Sequence, residues 1–272
     1  MYSGSTFTTY SGRLLGAHQK IDRLARRQLE KLLPGTNFPA ATSILHFEGD
    51  NGPDAIKRKS PAKDEPWHYL QPFDQTDTQL IELIQHHYSQ LVKALRLDDA
   101  VRASFEAAWL AHAIVDGLTP AHHYPYEEKL VELSSGRSIA DRTTIVKKIF
   151  LPGLSAKHLL ANNWKMWGPK GLFTTHAAFE CGVAILIAPL KGLRMLPTPD
   201  AIADFKAQPL GQWFRHKAQD VARLELYDAF YETGWTIPLA RRVRYQLAPI
   251  LVQAVALVWY GAALEASAVR SR

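Results

Sequence analysis

Apolar residues recur every three to five positions along most of this chain, the spacing of helices that bury one face. The first stripe is Leu14, His18, Ile21, Leu24 or Ala25, Leu29 and Leu32, with Gln19, Lys20, Arg23, Arg26 and Arg27 on the polar side. Pro34-Gly35 stops it. The pattern resumes over about 76–96 and 98–118, where Asp98 or Asp99 suits an N-cap. Residues 119–172 are mixed, with short helices predicted at 138–150 and 154–166 between breaks at Pro152-Gly153 and Gly168-Pro169. A helix from about 173 carries His176 and Glu180 and ends or kinks at Pro189. Helical stretches at roughly 200–232 and 238–266 close the chain. No strand alternation and no internal repeat interrupts this, so the expected fold class is all-α, a multi-helix single domain over 1–272.

One segment breaks the pattern. Residues 35–75 are dense in Pro and Gly (Pro39, Gly49, Gly52, Pro53, Pro61, Pro66, Pro72) and read as a long loop. Loops of that length inside a domain are usually functional or disordered. Phe47, Trp67, Tyr69 and Phe73 argue for order.

Composition narrows the chemistry. With 47% hydrophobic and 21% charged residues, the chain can bury a sizeable core and is not of the disordered class. Its formal charge of +6 favours anionic surroundings without choosing among them. No run of Lys/Arg interleaved with aromatics marks a nucleic-acid surface. The single cysteine, Cys181, excludes a disulfide framework and any cysteine-based zinc site. Any transition-metal site must therefore draw on the eleven histidines and on carboxylates. The opening MYSGSTFTTYSGR lacks the features of a secretory signal, so a cytoplasmic location is the default expectation. The apolar run Leu247–Leu264 contains Pro249 and Gln253 and is read as a buried core helix of a soluble chain.

The chemistry concentrates in WLAHAIVDGLTPAHH. His112 and Asp116 are four apart on a helix, hence on one face and able to meet one ion. The Gly117–Pro120 turn aims His122 elsewhere, toward a second ion. In TTHAAFECG, His176 and Glu180 repeat the i, i+4 spacing; with His122 they make three ligands and leave a position for water, the pattern of a catalytic zinc. His123 and His158 are the alternatives for that second wall. Asp54, after Gly52-Pro53, and His68, between Trp67 and Tyr69, are the loop candidates, with Asp50 competing for the place of Asp54. His18 lies on an apolar stripe, where an uncompensated imidazole is costly. His46, His86, His87 and His216 read as ordinary. Lys57, Arg58, Lys59 and Lys63 are candidate phosphate contacts or a solvated basic loop. Trp164 and Trp167 with Lys165 and Lys170 suggest either packing or a membrane-interface patch.

In order and spacing this series resembles the zinc-dependent phospholipase C superfamily and its single-strand nuclease relatives. The series is a His on an early helix, a Pro-Asp loop, a His followed by an aromatic, His-x-x-x-Asp-x-x-x-x-x-His, then His-x-x-x-Glu. The resemblance covers residues 18–180. It implies a first zinc held by Asp54, His68, His112 and Asp116, and a second by His122, His176 and Glu180. A third would use His18 and a bridging Asp116, completed in that superfamily by an N-terminal Trp. No Trp precedes Trp67 here. Asp54 is either a ligand or the catalytic base that orients the attacking water. The implied activity is phosphodiester hydrolysis, with a phospholipid head group as expected substrate and peripheral membrane contact. The alternatives are a single-strand nuclease or nucleotidase, for which nucleic acid would be a substrate, and a non-catalytic metal-stabilised binding protein.

Overall fold

The computed structural model describes residues 16–48, 52–55, 67–134, 136–137, 141–192 and 194–270. Among them the fold is all-α, as the periodicity predicts. The first helix, α1 (Ala17–Leu32), buries Ala17, Ile21, Leu24, Ala25 and Leu29, and on the same stripe His18 and Asp22. It packs against the C-terminal helix α13 (Ala248–Arg270), whose Leu251, Val255, Val258, Trp259 and Ala262 are buried. The stretch Ile237–Ala268 is long and apolar enough to cross a membrane, yet 67% of its most apolar window is covered by the rest of the protein. It is a core helix.

Against this pair lies an antiparallel hairpin, α3 (Gln79–Arg96) and α4 (Ala100–Gly117). Its tight corner is made by Asp98, which takes a left-handed conformation, and by Asp99, whose carboxylate caps α4 by accepting from the Arg102 amide at 2.9 Å. Alanines 103, 107, 108, 111 and 113 let neighbours approach α4 closely, and the Trp259 indole donates to the Ala107 carbonyl at 3.1 Å. His87, placed on a polar face by the sequence reading, is instead buried: its Nδ1 lies 2.6 Å from Glu106, which also meets Arg102. That network ties α3 to α4.

Within 35–75 the described residues are 35–48, 52–55 and 67–75, and they include helix where the sequence reads as loop. They hold a short helix, α2 (Ala41–His46), and a helical turn at 53–55, because Ile44 finds a fully buried seat against α1 and α4. Asp50 and the basic residues Lys57, Arg58, Lys59 and Lys63 lie outside the described residues. After α4, a 3-10 turn (Pro120–His123) leads to α5 (Tyr126–Leu133), which the sequence reading did not assign. The pieces predicted at 138–150 and 154–166 are α6 (Ile145–Ile149) and α7 (Ala156–Trp167).

Helix α8 (Leu172–Ile187) ends just before Pro189. The stretch expected at 200–232 divides into α9 (Pro199–Ala207), α10 (Leu210–Ala222) and α11 (Leu226–Thr233). Pro209 makes the first break, and Glu225, in a left-handed conformation, makes the second. A short α12 (Ile237–Arg242) joins α13 through a π-helical turn at Val243–Leu247, the irregularity that accommodates Pro249.

Gly182 on α8 faces the Trp235 indole so closely that a Cβ would come within 2.2 Å of the ring. That ring stacks on Phe179 and is not free to withdraw. A Gly182→Ala change gains about 1 kcal/mol of helix propensity but must displace the indole. The expected net is a loss of about 1–3 kcal/mol, measured by denaturant unfolding; an unchanged or raised midpoint would contradict this packing.

Candidate metal centre

Six segments bring the predicted residues together, the helical turn at 53–55 supplying Asp54. Helix α1 supplies His18, and α4 supplies His112 and Asp116 one turn apart. The extended segment at 67–70 supplies His68. The 3-10 turn supplies His122, and α8 supplies His176 and Glu180. Two bonds fasten the extended segment to the turn: the Leu70 amide donates to the His122 carbonyl at 3.1 Å, and His122 Nδ1 lies 2.8 Å from the His68 carbonyl. The turn itself is held by Thr119, whose hydroxyl donates to the Val115 carbonyl at 2.7 Å.

Asp116 is the centre. Its Oδ1 lies 3.3 Å from His18 Nε2 and 3.8 Å from His122 Nδ1. Its Oδ2 lies 2.5 Å from His68 Nδ1 and 3.1 Å from His112 Nε2. Asp54 approaches His112 Nε2 at 3.7 Å. On the other side, Glu180 Oε1 meets His122 Nε2 at 2.8 Å and His176 Nε2 at 3.1 Å. The eight residues singled out in the sequence thus form one connected cluster.

Three sets of these side chains have ligand atoms within 4.8 Å of one another: His18, Glu48 and His112; Asp54, His68 and His112; and His122, His176 and Glu180. Neither alternative, His123 or His158, belongs to a set found among the described residues. His123 turns its Nε2 to the Gly117 carbonyl at 2.8 Å.

Two residues escaped the sequence reading. Glu48 is buried, and its Oε1 lies 2.8 Å from His112 Nδ1. Nothing in the spacing around Phe47-Glu48 marks it. Asp22 is buried one turn from His18, a second His-x-x-x-Asp pair that could have been noticed. Burial, and then the charge of Glu48, hold the Asp22 carboxyl well above the usual carboxylate range.

The donor set fits a metal ion. His122 gives the proton on Nδ1 to a backbone carbonyl, which leaves a lone pair on Nε2 facing the Glu180 carboxylate. Burial lowers the His122 pKa to about 4, so no second proton relieves that contact at neutral pH. A cation between the two groups would relieve it. His112 shows the same arrangement in a different form: Nδ1 is engaged by Glu48 and Nε2 faces Asp116 and Asp54, the carboxylate–histidine pattern common behind metal ligands. His18 and His112 stack in parallel at 3.9 Å. These buried His, Asp and Glu groups could hold a metal ion. No protein-family model matches this chain, and no curated protein does; the assignment rests on geometry.

Without metal, burial draws His112 toward its neutral form, but Asp116, Glu48 and Asp54 outweigh it and push its pKa up to about 10. His122 and His123 are both lowered by burial to about 4. Relative to an ordinary 6.5, His112 contributes stability that is full below pH 6.5 and is lost as pH rises toward 10. The two lowered imidazoles contribute stability that is full above pH 6.5 and is lost as pH falls toward 4. The chelated protein should therefore unfold at its highest temperature near neutrality, about pH 6–7. A melting temperature still rising at pH 9 would contradict the His112 environment.

Removing Glu48 should weaken the centre without touching the other side chains. Glu48→Ala should lower affinity for a divalent ion about 10–100-fold in chelator competition, because His112 loses the group that orients it. Unchanged affinity would take Glu48 out of the site.

Proposed function

We propose that this protein is a zinc-dependent phosphoesterase, resembling the zinc-dependent phospholipases C in its ligand series. One observation carries this reading: His122 of the buried cluster also lines a pocket of 560 Å³. A purely structural metal site would be closed by its ligands. Here one wall faces a space of substrate size.

Asp54, His68, His112 and Asp116 would hold one zinc, and His122, His176 and Glu180 another. His18, with Asp116 and the nearby Glu48, provides ligands for a third. Four carboxyl groups, Glu48, Asp54, Asp116 and Glu180, lie among these imidazoles, and two dications match the negative charge they can carry. Bound zinc would supply Lewis acidity, lowering the pKa of a water and offsetting charge on phosphoryl oxygens. The chain's own groups supply the rest. The Asp54 side chain is 21% exposed against 1% for Asp116. That exposure supports Asp54, if it is not itself a ligand, as the group that would orient an attacking water and accept its proton, while Asp116 holds four imidazoles in register.

The pocket also speaks to the substrate. Trp67, Tyr69 and Tyr124 form aromatic walls, and Asp77, Glu127, Glu128 and Glu132 carry carboxylates around it. Arg215 fixes one side by donating to the Asp74 and Asp77 carbonyls. Aromatic faces with carboxylates suit a cationic group beside the phosphate, through cation–π contact and charge. They oppose a polyanion. This favours a phospholipid with a cationic head group over single-stranded nucleic acid.

Protein purified without chelator should contain about two zinc ions per chain and hydrolyse a chromogenic phosphodiester, losing activity on chelation and regaining it with zinc. His112→Ala and Asp116→Asn should remove most of both metal and activity. Less than about one ion per chain, or activity indifferent to chelation, would overturn the proposal. A choline or ethanolamine phosphodiester should be cleaved faster than an oligonucleotide; the reverse preference would favour the nuclease reading.

A further inference from the structure

A basic, apolar surface lies beside the metal centre. From Arg142 to Phe179 the chain carries six Lys/Arg and no Asp or Glu. That run includes most of the connection between α5 and α8; Leu151, Met166 and Phe179 are buried, but several of its other apolar residues are turned outward. Leu154 is 87% exposed, Leu160 70% and Trp164 69%, with Val146 and Phe150 comparably open. On α7 only Asn162 and Met166 are buried. Leu160 and Trp164, one turn apart, project from the opposite face together with Lys157.

We propose that α6, α7 and the loop between them form a docking surface for an anionic lipid bilayer. Large exposed apolar patches on a chain of this kind mark interaction sites. A rim of lysines around Trp, Leu and Phe fits the boundary of an anionic membrane, where each Lys near the surface contributes and the apolar tips enter the acyl region. Lys147, Lys157 and Lys165 are exposed among those tips.

The surface adjoins the pocket of the metal centre. Phe173, half-exposed and set against Trp167 at 4.6 Å, stands one turn before His176 on α8. A smaller cavity of 230 Å³, lined by Lys129, Lys165 and Lys170, shares Tyr124 and Glu132 with the larger pocket. Docking would present the pocket to head groups in the same plane.

The surface deepens the phospholipid reading but is tested apart from it, because sedimentation does not require hydrolysis. The metal-loaded full chain should sediment with phosphatidylserine–phosphatidylcholine vesicles at low salt and much less with phosphatidylcholine alone. Leu160→Ser with Trp164→Ser should weaken binding by at least about tenfold. Lys147→Glu with Lys157→Glu and Lys165→Glu should weaken it by about 100-fold on the anionic vesicles alone. Each variant should retain its metal content and melting temperature, since these side chains are exposed. No sedimentation of the parent chain, or variants that bind as it does, would overturn the proposal. So would light scattering that shows the parent as a dimer and the serine variant as a monomer, which would make the face an interface between copies. Binding without hydrolysis would sink the enzyme reading and leave the surface standing.

Discussion

A buried carboxylate among imidazoles is the constraint on which the rest of this structure turns. Asp116 makes contacts with four histidines drawn from three separate segments besides its own helix. Taking such a group out of water is expensive unless opposite charge and hydrogen bonds meet it on every side. Burial would push its carboxyl up, and the positive charges around it, that of His112 included, hold it well below the usual range instead. The fold must therefore deliver α1, the 67–70 segment and the 3-10 turn to one point. The alanines of α4 and the close seating of α13 let the helices approach near enough to do so.

The cluster is also frustrated as a purely protein object. His122 has committed its proton to the His68 carbonyl, yet its other nitrogen confronts Glu180. His112 is drawn toward protonation while His122, ten residues further along the chain, is driven from it. Local conflict of this kind is what a sequence tolerates at a functional site and avoids elsewhere. A cation would resolve both halves at once, by taking the lone pairs of the imidazoles and balancing the carboxylates.

The sequence makes some of this readable and hides the rest for physical reasons. His112 with Asp116, and His176 with Glu180, are legible because i, i+4 spacing on a helix fixes a shared face whatever the tertiary structure does. His18 is legible because an imidazole on an apolar stripe needs a partner. Glu48 is not: it reaches His112 from a bend after α2, and no local period records a contact made across 64 positions. The same limit explains the helices. Strong stripes such as α1 and α4 were placed well, whereas α2 and α5 are short, and their order comes from neighbours rather than from their own pattern. The helical stretch over 200–232 divides at Pro209, a breaker visible in the sequence, and at Glu225, whose left-handed backbone no residue preference announces.

Charge is segregated on this chain in a way that its net value of +6 conceals. The pocket next to His122 carries four carboxylates, while the acid-free run from Arg142 onward lies next to it. Net charge alone favours anionic surroundings of any kind, a polyanion among them, yet the carboxylates of the pocket would repel one. The two facts agree if the anion is a surface and the reacting molecule is one of its components. In the proposed reading, an extended anionic layer would meet the lysines, and a head group with a positive end would leave that layer for an acidic, aromatic pocket. A soluble polyanion would have to satisfy both regions with one kind of charge. A bilayer with mixed head groups presents both kinds within a few ångströms, which is why the division of charge argues for a lipid rather than for a nucleic acid.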